Sequence, residues 1–334
     1  MANPRAPSEQ DTTNAPRVLI IRRDNIGDLV CTLPLFEALR QHYPKACIGA
    51  LVNSYNAPLL QGNPFIDHVH IYTKSKHRPG MTRRSLARDR LALFLKLRGP
   101  RYQVAVHAGT RVRTEMRVLA RLAGVKDQIL DQANGRPLHE VERVFELLSK
   151  LGITGTPPAP RLHIPASAQQ EARAVLAAQG FENSVGLHIS AREDENRWPL
   201  ENFTALIRAG ANRGLKFVIF WSPGDPGRPE HPGDDDRAQA LVDMCRGLPV
   251  VAYPTPDLSA LAAGLAAVRI LVGSDGGHVH IAAAVGTPVI GLYCAHKVTQ
   301  WRPWGQRHSV LYGPRVCDIS IDSVFAVLLA KTAP

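Results

Sequence analysis

The sequence predicts an α/β protein made of two doubly wound halves with parallel sheets, and three observations carry that prediction. Short β-branched runs that look buried on both faces alternate with helical patterns. The alternation breaks once, over the Pro-rich residues 152–165, and then restarts. A chain of 334 residues, at roughly 100–200 per domain, has room for two cores.

The elements follow in order. RVLIIRR opens at Arg17 as a short buried strand, Asn25 to Asp28 make a turn, and LVCTLPLFEALRQHY carries apolar residues at helical spacing. CIGALV, HVHIYT and QVAVHA read as the next strands, with helices over 83–97, 113–123 and 138–151. Beyond the Pro-rich break come a helix at 167–179, the strand SVGLHI, a helix at 200–213 and the strand KFVIFW. Helices at 237–247 and 258–266 precede the strand VRILVG, and a helix at 279–285 precedes TPVIGLY. The expected division is a polar, disordered tail at 1–16, a first Rossmann-like domain at 17–155 and a second at 156–319. A last helix within 320–334 is expected to pack back on the first domain. Open α/β sheets bind ligands beyond the C-terminal ends of their strands, so two facing halves place the site in the cleft between them.

Composition narrows the chemistry. Forty Lys+Arg against 29 Asp+Glu give a formal charge of +11, which favours an anionic partner. Ten Lys/Arg against the single acid Asp89 fall within residues 74–101, and Arg111, Arg113 and Arg117 extend the patch. Few aromatic residues interleave with it, which argues against nucleic acid. Five scattered cysteines without a C-x-x-C fit a reducing cytoplasm rather than a disulfide scaffold or zinc site. No apolar run approaches the roughly 20 residues that span a bilayer, and the first sixteen residues lack the apolar core of a leader.

Three segments at predicted strand ends can carry chemistry. Only Gly27 lies in the first turn, so the dinucleotide fingerprint G-x-G-x-x-G is absent and a Rossmann dehydrogenase is disfavoured. Asp28 follows that glycine at the helix start, where a carboxylate facing the cleft can take a proton from a hydroxyl; the plainer alternative is a first-turn acid favoured by the helix dipole. In VGSDGGHVHIAAAVGTPVIGLY, Asp275, Gly276 and Gly277 precede a helix whose free N–H groups suit a diphosphate. His278 and His280, two apart, diverge on a helix and cannot share a metal. In GLHISAREDENRWPLENF, Ser190 and Arg197 occupy a ligand end, with Arg197 either a phosphate clamp or a partner of the acids at 193–195. Asp234, Asp235 and Asp236 match a D-x-D metal motif but read as N-terminal charge on the following helix.

At these residues the chain resembles glycosyltransferase family 9, the heptosyltransferases of the lipopolysaccharide inner core. The resemblance runs from Arg17 to about Val310, through RVLIIRRDNIGDLVCTLPLFEALRQHYP, NPFIDHVHIY, LHEVERVFELLSKLGI, HISAREDENRWPLENF, SDGGHVHIAAAVGTPVIGLY and QWRPWG. It implies a GT-B fold, acceptor on the first domain and nucleotide-sugar on the second. It further implies inversion at the sugar, no metal, and no cofactor beyond a nucleotide-sugar co-substrate, expected to be ADP-heptose. Asp28 falls on the family's catalytic base; Asp275, Gly276, Gly277 and His280 on its diphosphate motif; Ser190 and Arg197 on its donor-side loop. The chain departs at Gly276, where members often have Thr, at Asn196, where they often have Lys, and at residues 294–298. Lys297 is expected to supply a compensating charge. Lys74, Lys76, Arg83, Arg84, Arg111 and Arg113 are expected to hold an anionic glycolipid acceptor, with the protein cytoplasmic and peripheral at the inner membrane. The alternatives are a same-fold transferase with another sugar or a non-lipid acceptor, and a non-catalytic protein that binds anionic glycans.

Overall fold

A computed structural model describes residues 15–73, 82–109, 114–131, 135–224 and 233–333, the side chains of Arg83 and Leu86 excepted. The first sheet holds β1 (Arg17–Arg22), β2 (Cys47–Asn53), β3 (His68–Tyr72), β4 (Val104–His107) and β5 (Asp127–Leu130), all parallel, in the order β3-β2-β1-β4-β5. The second holds β6 (Val185–His188), β7 (Phe217–Trp221), β8 (Val250–Pro254), β9 (Ile270–Ser274), β10 (Val289–Cys294) and β11 (Ser309–Gly313). These strands are also parallel, in the order β11-β10-β9-β6-β7-β8. Numbered from its own first strand, the first sheet runs 3-2-1-4-5 and the second, read from β8, 3-2-1-4-5-6, so each has a switch point where the winding reverses. Those points lie between β1 and β4 and between β6 and β9.

Helices cover both faces of each sheet. On the first, α2 (Arg83–Arg98) and α3 (Thr114–Leu122) bury Leu93, Leu97, Met116 and Ala120 against Leu19 and Ile21. The opposite face meets α1 (Ile26–His42) and α4 (Glu140–Phe145), and the cluster formed there continues without a break into the second half. It includes Leu271 of β9, Leu261 of α8 (Leu258–Leu265) and Val279 of α9 (Gly277–Ala284). The two halves therefore share apolar surface, and the Pro-rich connection joins it through Leu162 and Ile164. After that connection, α5 (Ala166–Ala177) packs on α8.

The far face of the second sheet meets α6 (Leu200–Ala211) and α7 (Asp235–Met244). Here the last helix corrects an expectation. α11 (Ile321–Thr332) packs on α6, β10 and β11, burying Val324 and Leu328 in the second half's own cluster. Its apolar stripe has a partner beside it and does not return to the first sheet. The tail at 1–14 lies outside the described residues.

Three strands had no counterpart in the sequence reading: β5, β8 and β11, each at the edge of its sheet. None of their residues is fully buried, whereas β9 and β10 are buried throughout.

Candidate active site

β1 ends in a buried cation, and the site begins there. Arg22 is 2% exposed, so each of its donors requires a partner. Its Nη1 donates to the Ala108 carbonyl, its Nε pairs with Asp24 at 3.2 Å, and its Nη2 reaches two carboxylates. One is Asp28, third residue of α1; the other is Glu140 Oε1, at 2.7 Å. Burial works against the guanidinium charge, yet Asp28, Glu140 and Asp24 outweigh it and hold Arg22 above its ordinary pKa. Asp28 also accepts the Asn25 N–H at 3.0 Å on Oδ2, which fixes the carboxylate across the helix start.

Glu140 opens α4 and is 1% exposed. Arg143 clamps it through Nε at 2.9 Å and Nη2 at 2.5 Å, and Arg143 in turn pairs with Asp131. Gln300, in α10 (Val298–Trp301) of the second half, donates to Glu140 Oε2 at 3.2 Å. Burial pushes the Glu140 carboxyl up despite Arg22 beside it. The sequence reading assigned no role to Arg22, Glu140, Arg143 or Asp131. A signal was present, since an arginine closing an otherwise apolar strand needs buried acids around it.

Two helix N-termini abut across the halves, and glycines make the approach possible. A Cβ on Gly27 would stand 2.8 Å from His280 Cδ2, and one on Gly277 would stand 2.7 Å from Ile26 Cβ. His280 sits on the first half, its Nδ1 3.8 Å from Cys31 Sγ. His139 caps α4 and meets the Arg302 carbonyl at 2.7 Å through Nε2. Asp28 is one residue past Gly27 and Asp275 two before Gly277, so this junction brings both acids to one end of the paired switch points.

His278 turns the other way, as the two-residue spacing requires. Its ring stacks on His188 with centroids 3.7 Å apart and planes 10° apart. Burial holds His188 and His280 down at about 4 and His278 well below its ordinary value. These groups titrate near 6.5 when unfolded, so between those values the unfolded chain binds more protons. Their stabilisation is complete above pH 6.5 and is lost as pH falls toward 4, with a slope of about 1.4 kcal/mol per pH unit for each ring. Asp275, pushed up to about 6 chiefly by burial, opposes this with one such slope of the other sign. We expect the calorimetric melting temperature to fall steadily from pH 7 to pH 5; a level curve would mean that these rings charge in the folded state.

The residues expected on the donor side separate into two groups. Lys297 Nζ lies 2.7 Å from Glu193, 2.6 Å from Glu195, 3.2 Å from Asn196 Oδ1 and 3.8 Å from Asp275. Burial disfavours its charge, but hydrogen bonds to Glu193 and Glu195 prevail and raise its pKa. Arg197 instead pairs with Asp234 at 2.8 Å, an acid outside the 193–195 group, and at 3.4 Å with Asp194, the one member of that group it reaches. Asp234 is 6% exposed, and Asp235 accepts from Trp221 Nε1 at 2.7 Å and the Gly224 N–H at 2.9 Å. Both acids are thus engaged with protein groups. Ser190 Oγ accepts the Ser222 N–H at 3.2 Å. Among the expected acceptor residues, Arg84 is exposed on the first turn of α2. Lys74, Lys76, Arg111, Arg113 and the Arg83 side chain lie outside the described residues.

Comparison with known proteins follows the same lines. The family model described as glycosyltransferase family 9 (heptosyltransferase) matches residues 92–324. Lipopolysaccharide heptosyltransferase 3 of Escherichia coli is 26% identical over 305 residues, covering 83% of either chain. Among solved structures, the family 9 glycosyl transferase of Veillonella parvula DSM 2008 superposes with a TM-score of 0.82 at 17% identity, covering 95% of this chain and 97% of the other. E. coli heptosyltransferase WaaC with ADP-2-deoxy-2-fluoro heptose gives 0.73 at 21% identity, covering 95% of this chain and 100% of the other.

Proposed function

The chain belongs to glycosyltransferase family 9, the heptosyltransferases, and on that premise we propose that it moves a heptose from ADP-heptose to a lipopolysaccharide inner-core acceptor with inversion at the sugar. The observation that carries the reading is the junction of the α1 and α9 N-termini. It seats Gly27, the neighbour of Asp28, against His280, and Gly277, two residues past Asp275, against Ile26, and Asp275 in turn lies 3.8 Å from Lys297.

In this reading Asp28 takes the proton of an acceptor hydroxyl as that oxygen bonds to the anomeric carbon. The bond from that carbon to the diphosphate breaks, and ADP leaves with the electron pair. Charge developing on the diphosphate meets the free N–H groups of α9 and the Lys297 ammonium. Donor binding would draw Lys297 from Glu193 and Glu195 toward the phosphates. Gly276, Gly277, His280, Ser190 and Arg197 complete the proposed donor side. The reaction as written needs no metal, consistent with Asp234 and Asp235 being taken up by Arg197, Trp221 and the backbone.

The acceptor falls to the first half, where ten Lys/Arg lie within residues 74–101 and Arg84 is exposed on the first turn of α2. No helix among the described residues is long and apolar enough to cross a membrane. A cytoplasmic protein working at the inner-membrane face fits the reading. The test is a transfer assay with heptose-deficient lipopolysaccharide core and a panel of ADP-heptose, ADP-glucose and UDP-glucose. Product from ADP-heptose with inverted anomeric configuration, undiminished by EDTA, is expected. Failure to bind any ADP-sugar would overturn the heptose assignment.

A further inference from the structure

Glu140 has no place in the transfer chemistry, yet it is heavily hydrogen-bonded beside Asp28. Four donors converge on this one buried carboxylate: Arg22 Nη2, Arg143 Nη2, Arg143 Nε and Gln300 Nε2. The same Arg22 Nη2 that reaches Glu140 also reaches Asp28. A buried guanidinium pressed directly on a base would stabilise the carboxylate and weaken its hold on a proton.

We infer that Glu140 is a positioning residue for Asp28: it shares the charge of Arg22, so that Arg22 orients the base by hydrogen bonding without disarming it. The inference deepens the proposed function, because it rests on Asp28 being the base. The charge balance supports it. Around Asp28 stand Arg22 and Asp24 at the end of β1, Cys31 on α1, Glu140 and Arg143 on α4, Asp131 beyond β5 and His280 on α9. Burial keeps the Cys31 thiol and the His280 ring uncharged. Arg143 is matched by Asp131 and Glu140. Arg22 therefore has Glu140 and Asp24 as counter-charges other than the base. Glu140 is the buried one of the two, where screening is weakest. Gln300 ties the arrangement to the second half: the oxygen it binds belongs to the carboxylate that holds Arg22.

The test is the pH dependence of kcat in the full-length enzyme. Glu140→Gln keeps an oxygen for Arg22 but removes the charge. We expect the acidic limb of the kcat profile to move about one unit toward lower pH, kcat on the plateau to fall several-fold, and the donor KM to stay unchanged. Asp24→Asn removes the other counter-charge from a side chain that is 45% exposed; its limb should move the same way by less. Glu140→Asp restores the charge and should return the limb toward its original position even if the protein melts earlier. A residue that merely stabilised the fold would lower the melting temperature in all three and leave the limb in place, and that result would overturn the inference. The two readings fail separately. Near-normal turnover by Asp28→Asn removes the base, whereas an inactive Asp28→Asn beside an unmoved limb in Glu140→Gln and Asp24→Asn removes only the role of Glu140.

Discussion

Asp28→Asn is expected to lower kcat by about 10²–10⁴-fold, the range typical of losing a positioned general base. The substitution is nearly isosteric and keeps an oxygen for Arg22 Nη2. Arg22 retains Glu140, Asp24 and the Ala108 carbonyl, so the variant should fold and its ADP affinity should stay within about twofold, since the proposed diphosphate contacts lie on α9 and Lys297. The loss should therefore appear in kcat and not in donor binding, which calorimetric titration with ADP separates from single-turnover transfer. Loss of the acidic limb of the pH profile should accompany it. Near-normal kcat would make Asp28 an ordinary first-turn acid that pairs with Arg22.

Most of the fold was legible because central parallel strands are apolar on both faces. RVLIIRR, VRILVG and TPVIGLY announce themselves in any reading, and the structure places them in the middle of their sheets as β1, β9 and β10. β5, β8 and β11 escaped notice for the complementary reason. An edge strand has one neighbour and partial cover: DQIL carries neither a full apolar run nor a clean alternation, and VVAYP is a short run that ends in proline and has no fully buried residue. The return of the last helix failed differently: an amphipathic pattern says that a helix has a partner but not which sheet supplies it.

The candidate site was legible where a residue type has a local reason to stand at a turn. Gly27, Asp28, Asp275 and Gly277 were singled out that way, although the glycines matter for a neighbour no sequence window contains. Each makes room for a side chain of the opposite half, His280 or Ile26. Arg197 and Lys297 illustrate the limit. Arg197 stands within the proposed donor-side loop and Lys297 far from it in sequence, and only the three-dimensional pairing sends Arg197 to Asp234 and Lys297 to Glu193, Glu195 and Asp275. The hub of Arg22, Glu140, Arg143 and Asp131 joins residues more than a hundred positions apart, a separation at which spacing rules have nothing to say.

That hub also carries the largest stability prediction. Arg22→Met leaves a side chain of similar reach with no charge. Removing one partner of a buried ion pair typically costs about 3–5 kcal/mol, because the remaining carboxylates stay desolvated. Against a total stability of about 5–15 kcal/mol for a typical domain, such a loss should lower the urea midpoint substantially or leave the chain partly unfolded at 37 °C. The pH dependence distinguishes lost charge from lost packing. Burial already raises Glu140, with Arg22 opposing; without Arg22 the folded pKa rises further above its unfolded value. A group raised in the folded state adds stability below its unfolded pKa and loses it as pH rises through the folded one. The destabilisation by Arg22→Met should therefore be largest near pH 8 and shrink toward pH 5, measured as the difference from wild type so that the histidine contribution cancels. A deficit independent of pH would assign the effect to packing. Arg22→Met/Glu140→Gln should then be less destabilised than the sum of the single variants, because the second change removes the carboxylate charge that the first leaves unpaired.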